Sequence, residues 1–322
     1  DLHRRRHSFP TRRSSDLGTV HLEVHPDMAW RLNCVLAQLH PLAIPAQFRQ
    51  KPKRRVRDFD LIRKPLPFQV VDALAGMEVA CELAPDAERS GWRDNGVRKV
   101  PNGRRFRGGN SPEAIRDAEV VLASVGGVKQ PAGWWLFDFD PADVLGELVT
   151  SGCVPDQRAH QFYPTPRMLA ESAVSIAGIR EGDTVLEPSA GIGGLADLLP
   201  RERTQCVEIS PLHAKVLESK GHRVACADFL TWEETAPHFN CIVMNPPFSD
   251  GRWRAHVEAA ARLLAPGGRL VAILPSGARN ADIRIGEATA TWSDVLRGQF
   301  PGVSVDVVTL LLYRPKIGRA HV

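Results

Sequence analysis

Beyond residue 160, short apolar runs alternate with segments that carry helix signals. Five runs have the length and composition of buried strands, at residues 184–186, 205–209, 223–226, 241–244 and 270–274. Helices between such strands build a parallel sheet that is covered on both faces. We therefore predict an α/β fold, a Rossmann-like doubly wound sheet over residues 153–316. Residues 18–152 follow no clear period, and we predict a smaller N-terminal α+β domain there.

The helix ends in this half of the chain carry recognisable residues. Thr165 as N-cap, with Pro166 at the first helical position, predicts a helix that Gly178 closes. Ser210 followed by Pro211 predicts the start of another helix in the same way. Both helices separate predicted strands, as a doubly wound sheet requires.

Composition narrows the class of protein. A chain of 322 residues with 43% hydrophobic residues can bury one full core, and its length leaves room for two domains. The formal net charge of +4 is too small for a histone-like or ribosomal protein. The six cysteines form no C-x-x-C pair, which argues against a disulfide framework, and a reducing cytoplasm is the simplest compartment. No run approaches the roughly 20 apolar residues that span a bilayer, so we predict no membrane contact.

The two ends of the chain need separate treatment. Residues 1–17 and 317–322 resemble translated sequencing-adapter read-through, so we predict that both are artefacts and leave them out of the fold. A genuine basic arm that contacts phosphates is the alternative for the first segment. Residues 1–17 contain five arginines and two aspartates, so without them the net charge falls from +4 to +1. We expect the natural protein to continue beyond both ends of the stretch left after this exclusion, which is truncated.

Basic residues cluster at two places in the N-terminal half, residues 49–64 and 98–107. A solvated face is one interpretation of such clusters, and a phosphate-contacting surface is the other. Phe59, Trp92 and Phe106 interleave with the charges, which favours nucleic acid because bases stack on aromatic rings. The alternating aromatic residues at 134–139 are typical of a half-buried strand, so we predict a packing role for them.

Three predicted strands end in residues suited to a nucleoside. The first ends in Leu-Glu-Pro-Ser-Ala-Gly-Ile-Gly-Gly at residues 186–194, where glycines let backbone amides approach a ligand. Glu208 ends the second strand, where a carboxylate can accept hydrogen bonds from both ribose hydroxyls. Asp228 and Phe229 follow the third strand and could hold an adenine by its amino group and its face. Together these strand ends predict a nucleoside-containing cofactor.

The fourth strand ends in Asn245-Pro246-Pro247-Phe248. The amino group of adenine is a poor nucleophile because its lone pair is delocalised into the ring. The side-chain carbonyl of Asn245 and the backbone carbonyl of Pro246 could each accept one amino hydrogen and favour a pyramidal nitrogen. The prolines fix this backbone, and Phe248 offers a ring for an extruded base.

These motifs, with Phe-Tyr-Pro-Thr-Pro at residues 162–166, resemble class I S-adenosylmethionine-dependent methyltransferases, specifically the amino-group DNA methylases of the adenine type. The cofactor motifs precede the tetrapeptide, which is similar to the gamma arrangement of that family. The resemblance covers about residues 156–315, roughly half of the chain.

The resemblance also implies site residues. The cofactor would be S-adenosylmethionine, with its methionine part at Tyr163, Thr165, Glu187, Pro188, Ser189, Ala190, Gly191 and Gly193, its ribose at Glu208 beside Ile209, and its adenine at Asp228 and Phe229. Asn245 and Pro246 would bind the target amino group, Pro247 would stiffen the loop, and Phe248 would contact the ring of the base. Asn245 would also border the cofactor.

Nothing of size follows residue 315, where gamma enzymes usually carry a target-recognition domain. The domain could be lost to truncation, the N-terminal part could replace it, or the enzyme could be barely sequence-selective, as some short phage and mobile-element methylases are. His213, His222 and His256 repeat no metal motif, so we predict satisfied or solvated histidines and no metal site.

Three functions remain open on the sequence. The first is an adenine-N6 methyltransferase that has DNA as its partner, in a restriction-modification or mobile-element setting. The second is an N-methyltransferase of RNA or of a protein glutamine, although relatives that act on glutamine usually have Tyr where this chain has Phe248. The third is a non-catalytic, nucleic-acid-binding subunit, but degenerate relatives typically lose the glycines or the asparagine. The oligomeric state is not predicted.

Overall fold

The computed structural model describes residues 26–39, 63–83, 97–155, 163–233, 236–248, 251–300 and 305–316. The predicted artefacts at residues 1–17 and 317–322 and most of the first basic cluster lie outside these ranges. The chain divides into two compact units, residues 1–60 and 61–322. In the first unit the structure describes one helix, α1 (Pro26–Leu39).

The second unit begins with a mixed α and β segment. Its elements are β1 (Arg63–Pro65), α2 (Phe68–Ala75), β2 (Glu78–Leu83), β3 (Val97–Arg105), α3 (Pro112–Ser124), β4 (Val128–Lys129), β5 (Trp135–Leu136), α4 (Ala142–Ser151) and β6 (Cys153–Pro155). Four of these strands form an antiparallel sheet in the order β2-β3-β5-β4. β1 pairs with β6 in a separate two-stranded sheet.

The elements that follow build the large sheet. They are α5 (Arg167–Ala177), β7 (Val185–Pro188), β8 (Thr204–Glu208), α6 (Pro211–Ser219), β9 (Arg223–Cys226), α7 (Phe229–Trp232), β10 (Phe239–Met244), α8 (Arg252–Arg262), β11 (Leu264–Pro275), β12 (Thr289–Trp292) and β13 (Val307–Tyr313). Short 3₁₀ turns occupy Ala196–Leu198, Arg201–Arg203 and Ser276–Asn280.

The seven strands of the large sheet lie in the order β12-β13-β11-β10-β7-β8-β9. The pairs from β11 to β9 are parallel, and β13 runs antiparallel to both of its neighbours. The chain winds outward from β7 to β9 and then returns to place β10 on the other side of β7. The predicted Rossmann-like doubly wound α/β fold is therefore confirmed, and its strand order reverses between β7 and β10.

Alternate residues of each central strand enter different cores because side chains of a strand point to opposite faces. Ile242 and Met244 of β10 pack with Val257 of α8 on one face. Cys241 and Val243 pack with α5 on the other face. Helices thus cover both faces of the sheet, as the continuous apolar runs predict.

The mixed segment shares a core with the large sheet. Val70, Leu122 and Leu148, one from each of its three helices, pack in one cluster with Leu212 and Val216 of α6. Trp135, Phe137 and Phe139 are buried in the same cluster, as the packing interpretation of residues 134–139 predicts. The division at residues 152–153 falls within the compact unit of residues 61–322 and stays a prediction.

The sequence prediction for the start of α5 is wrong in one respect. The helix begins at Arg167, and Pro166 precedes it without any side-chain cap. Thr165 lies one residue before the cap position, and its hydroxyl accepts a hydrogen bond from the side chain of Asn245. The predicted cap Ser210 is confirmed, since its hydroxyl accepts from the His213 amide, and Gly178 closes α5 with a left-handed φ of 51°.

No helix in the described parts of the chain combines the length and the apolar character needed to cross a bilayer.

Arg269 of β11 fastens the end of α5 to the sheet. Its guanidinium is buried and donates to the backbone carbonyls of Ala177 and Gly178 and, at 2.5 Å, to the carboxylate of Asp183. Helix-terminal carbonyls lack partners within their own helix, and Arg269 satisfies them. Burial raises the pKa of Asp183, but the Arg180 amide and the hydrogen bond and charge of Arg269 together lower it below its ordinary 3.8.

We expect Arg269→Met to lower the free energy of unfolding by about 3 kcal/mol, because it leaves a buried carboxylate and two carbonyls without their donor. The matched control is Arg167→Met, which removes the exposed pair with Glu171 and should cost about 0.3–0.5 kcal/mol. Urea unfolding measures both differences.

Urea unfolding repeated at several pH values checks how Asp183 makes the stability depend on pH. A lowered pKa contributes stability that is complete above pH 3.8 and is lost as the pH falls through the folded-state value. The penalty of Arg269→Met should therefore shrink below pH 4. An equal penalty for the buried and the exposed arginine would contradict this account.

Candidate functional site

The turn after β7 has an unusual backbone. We call residues 189–194 the glycine turn. Ser189, Gly191 and Gly193 all have positive φ, at 65°, 58° and 101°. Side chains disfavour this region, which explains the glycines. A Cβ at Gly193 would also lie 3.0 Å from the Asp197 carboxylate, so a side chain at this position would be crowded as well as strained.

Glu208 ends β8 and holds the glycine turn. One carboxylate oxygen accepts from the Gly191 amide at 2.8 Å, and the other accepts from the Ser210 amide at 2.9 Å. The side chain is buried, with 5% of the residue exposed, and Ile209 beside it is half-buried. The sequence predicts a ribose contact for Glu208. The structure shows that Glu208 also accepts a hydrogen bond from the backbone of the glycine turn, which the sequence did not reveal. The ribose contact stays a prediction.

Glu187 lies beneath the same turn. It is 2% exposed, and its Oε2 is the one buried side-chain oxygen without a hydrogen-bond partner among the residues that the structure describes. Burial raises the pKa of Glu187 well above its ordinary value, and the charges of Asp197 and Glu208 raise it further. A cation near this oxygen would relieve both penalties, since it would supply a donor and an opposite charge.

The end of β9 carries the predicted adenine contacts. The Asp228 carboxylate accepts from the Leu230 amide at 3.0 Å and lies 3.9 Å from the Arg252 guanidinium. Phe229 is 2% exposed, and its ring packs 6.3 Å from Trp232 and 5.6 Å from the ring of His256. The Phe229 ring is therefore part of the core beneath the strand end, and its contact with an adenine stays a prediction.

Residues 245–248, which we call the acceptor loop, follow β10. Asn245 is half-buried, and its amide nitrogen donates to the Thr165 hydroxyl at 3.0 Å. With the nitrogen engaged, the side-chain oxygen is the group left to accept from a ligand. Pro246 is buried and Pro247 is half-buried, so the backbone between Asn245 and Phe248 is enclosed as well as stiff.

Phe248 is half-buried at the end of the acceptor loop. Its ring meets the edge of the buried Phe300 ring at 6.3 Å between centroids and 83° between planes. It also packs against both cores of the large sheet. The ring is thus held in place by packing, and stacking on a base stays a prediction.

Thr165 connects the two loops. Its hydroxyl binds Asn245, and its backbone nitrogen lies 3.3 Å from the position that a Cβ on Gly194 would take. The structure therefore brings together the segment before α5, the glycine turn and the acceptor loop, three elements that the sequence assigns to one site. Tyr163, the remaining predicted residue of that segment, is 43% exposed.

His256 is the residue at this site whose role the sequence missed. It is buried on α8, with 3% exposed, and its Nδ1 lies 3.2 Å from the Ser189 hydroxyl. Burial and, to a lesser degree, the charge of Arg252 lower its pKa to about 3, so the ring is neutral at pH 7. Its position one turn into the helix after the acceptor loop was the one available signal.

Within the described ranges, no group of His, Cys, Asp and Glu side chains could hold a metal ion.

The second basic cluster, on β3, is largely engaged in ion pairs. Arg98 pairs with Glu82 at 2.5 Å and Arg105 with Glu78 at 3.1 Å, both across the β2–β3 pairing. Arg104 is buried and pairs with Asp140. Much of this charge is therefore balanced within the protein, which weakens the interpretation as a phosphate-contacting surface.

Comparisons with known proteins found similar solved structures but no matching sequence. No protein-family model and no curated protein sequence matches the chain. Among solved structures, a candidate RNA methyltransferase from Pyrococcus horikoshii is 20% identical with a TM-score of 0.40, over 48% of this chain and 88% of that one. The N-methyltransferase NodS from Bradyrhizobium japonicum, solved with S-adenosyl-L-homocysteine, is 19% identical with a TM-score of 0.37, over 48% and 89%.

The [4+2]-cyclase SpnF is similar to the same extent, at 12% identity and a TM-score of 0.39, over 47% of this chain and 81% of that one. Likeness at this level concerns the chain path and does not extend to substrates. The fold is therefore established by the strand order of the large sheet, and function has to be argued from the site.

Proposed function

We propose that this chain binds S-adenosylmethionine across the glycine turn and transfers its methyl group to the exocyclic N6 amino group of adenine in DNA. One observation carries the proposal. Asn245 stands at the end of β10, beside the glycine turn at the end of β7, with its amide nitrogen held by Thr165 and its oxygen left to accept.

The residues at the end of β7 fit the amino-acid part of this cofactor. The positive-φ glycines leave room for close backbone approach, and the orphaned Oε2 of Glu187 offers an acceptor in a region of negative charge. An α-ammonium group would satisfy that oxygen. The cofactor supplies a methyl group on a positively charged sulfur.

The acceptor loop fits a planar amino group. The Asn245 side-chain oxygen and the Pro246 carbonyl can each accept one N–H hydrogen, which favours the geometry in which the nitrogen lone pair faces the methyl group. The new bond joins this nitrogen to the methyl carbon as the sulfur–carbon bond breaks with its electron pair on sulfur. The nitrogen then loses one proton to solvent. No side-chain base is required, because the hydrogen bonds orient the amine before reaction.

Adenine in DNA is the substrate that the loop residues favour. Phe248 is fixed by Phe300 at the end of the acceptor loop and offers an aromatic surface for a base taken out of the duplex. Such stacking is worth roughly 1–3 kcal/mol per base. Because the β3 arginines are engaged in ion pairs, we expect other basic residues to contact the DNA phosphates.

The experiment supplies labelled cofactor with separate pools of unmethylated DNA, RNA and unfolded protein. We expect label in DNA, on adenine N6, and we expect Asn245→Ala to lower transfer by about a hundredfold or more, as removal of one preorganised polar contact commonly does. The dissociation constant for S-adenosylhomocysteine should change less than about threefold.

Asn110→Ala is the matched control, because Asn110 hydrogen-bonds to Arg107 in the segment before the large sheet. It should transfer methyl groups at the wild-type rate. If the label enters RNA or glutamine side chains instead, that molecule is the substrate in place of DNA, and the proposed chemistry of the acceptor loop stands. Full activity of Asn245→Ala would remove the proposed role of the acceptor loop, and a wild-type chain without cofactor binding would identify a non-catalytic protein.

A further inference from the structure

Ser189 holds a conformation that its residue type rarely adopts. It is the one non-glycine residue with positive φ among the described residues, at 65°. Residues of this kind persist where the surroundings enforce them, and they concentrate at functional sites. Ser189 opens the glycine turn, so whatever enforces its conformation also shapes the proposed binding site for the cofactor.

His256 is the side chain in position to enforce it. The ring is 3% exposed on α8, and its Nδ1 lies 3.2 Å from the Ser189 hydroxyl oxygen. The ring also packs on Phe229, with 5.6 Å between centroids. His256 thus contacts two of the strand ends that are predicted to bind the cofactor.

The protonation of the ring decides which group donates. In the described structure Nε2 is buried without a hydrogen-bond partner. A buried N–H without an acceptor is rarer in proteins than an acceptor without a donor, so the proton of the neutral ring belongs on Nδ1. Nδ1–H then donates to the Ser189 oxygen, and the Ser189 hydroxyl keeps its own proton for another acceptor.

We propose that His256 is a positioning residue for the cofactor, which holds Ser189 and the glycine turn in the conformation that receives the amino-acid end of S-adenosylmethionine. This inference rests on the proposed function. It differs from that proposal in assigning a role to a residue that touches the turn and neither the cofactor nor the base. The Ser189 O–H is left to donate to the carboxylate of the amino-acid end.

The test compares two ligands by calorimetry. S-Adenosylhomocysteine has the amino-acid end, and 5′-methylthioadenosine lacks it. We expect His256→Leu to weaken S-adenosylhomocysteine binding about fivefold to tenfold, the value of one hydrogen bond, and to leave 5′-methylthioadenosine binding within about twofold. His256→Asn places an N–H near the position of Nδ1 and should restore most of the affinity.

A double-mutant cycle isolates the bond. Ser189→Ala should weaken S-adenosylhomocysteine binding, and His256→Leu added to it should weaken binding no further, because the bond is already lost. His238→Leu replaces an exposed histidine and serves as the matched control with wild-type affinity. If His256→Leu does not fold, the comparison of His256→Asn with Ser189→Ala still tests the bond.

Each outcome decides the matter. Unchanged affinity of His256→Leu for S-adenosylhomocysteine, additive losses in the cycle, or equal weakening of both ligands would overturn the positioning role, and in all three cases the proposed function would stand. Failure of the wild-type chain to bind S-adenosylhomocysteine would overturn the proposed function together with this inference.

Discussion

The parallel pairing of β7 with β10 is the constraint on which the site depends. Cys241 lies opposite Val185 and Ile242 opposite Leu186, so the two strands end at the same edge of the sheet. The chain order reverses between these strands, and ligands of open α/β sheets bind at such switch points. The glycine turn and the acceptor loop are neighbours for this reason, although 50 residues lie between them along the chain.

Three acidic side chains lie close together around the glycine turn. Burial raises the pKa of Glu187, and the charges of Asp197 and Glu208 raise it further. Glu208 accepts hydrogen bonds from two backbone amides, and Asp197 contacts Lys220 at 2.6 Å and His222 at 2.8 Å. The remaining penalty falls on Glu187, whose Oε2 has no partner in the described part of the molecule. Perturbed pKa values of this kind cluster at functional sites.

The sequence was sufficient for features with local causes. Apolar runs located the strands of the parallel sheet, and Ser210 and Gly178 marked helix ends because their roles depend on adjacent residues. A strand was predicted at residues 134–139, but the pairing of the small antiparallel sheet was not, since β4 and β5 have two residues each and β5 pairs with β3 across the intervening α3. Distant partners also explain the misassigned role of Thr165 and the missed role of His256, whose hydrogen bonds span 80 and 67 residues.

A crystal structure of the chain with S-adenosylhomocysteine tests the central claim most directly. The account predicts the amino-acid end of the ligand on residues 189–193, its ribose at Glu208, and its sulfur facing a space bordered by the side-chain oxygen of Asn245. A ligand bound elsewhere on the sheet would contradict the account. So would a ligand on the glycine turn with the Asn245 oxygen directed away from its sulfur, because no amine could then be held in line with the methyl group.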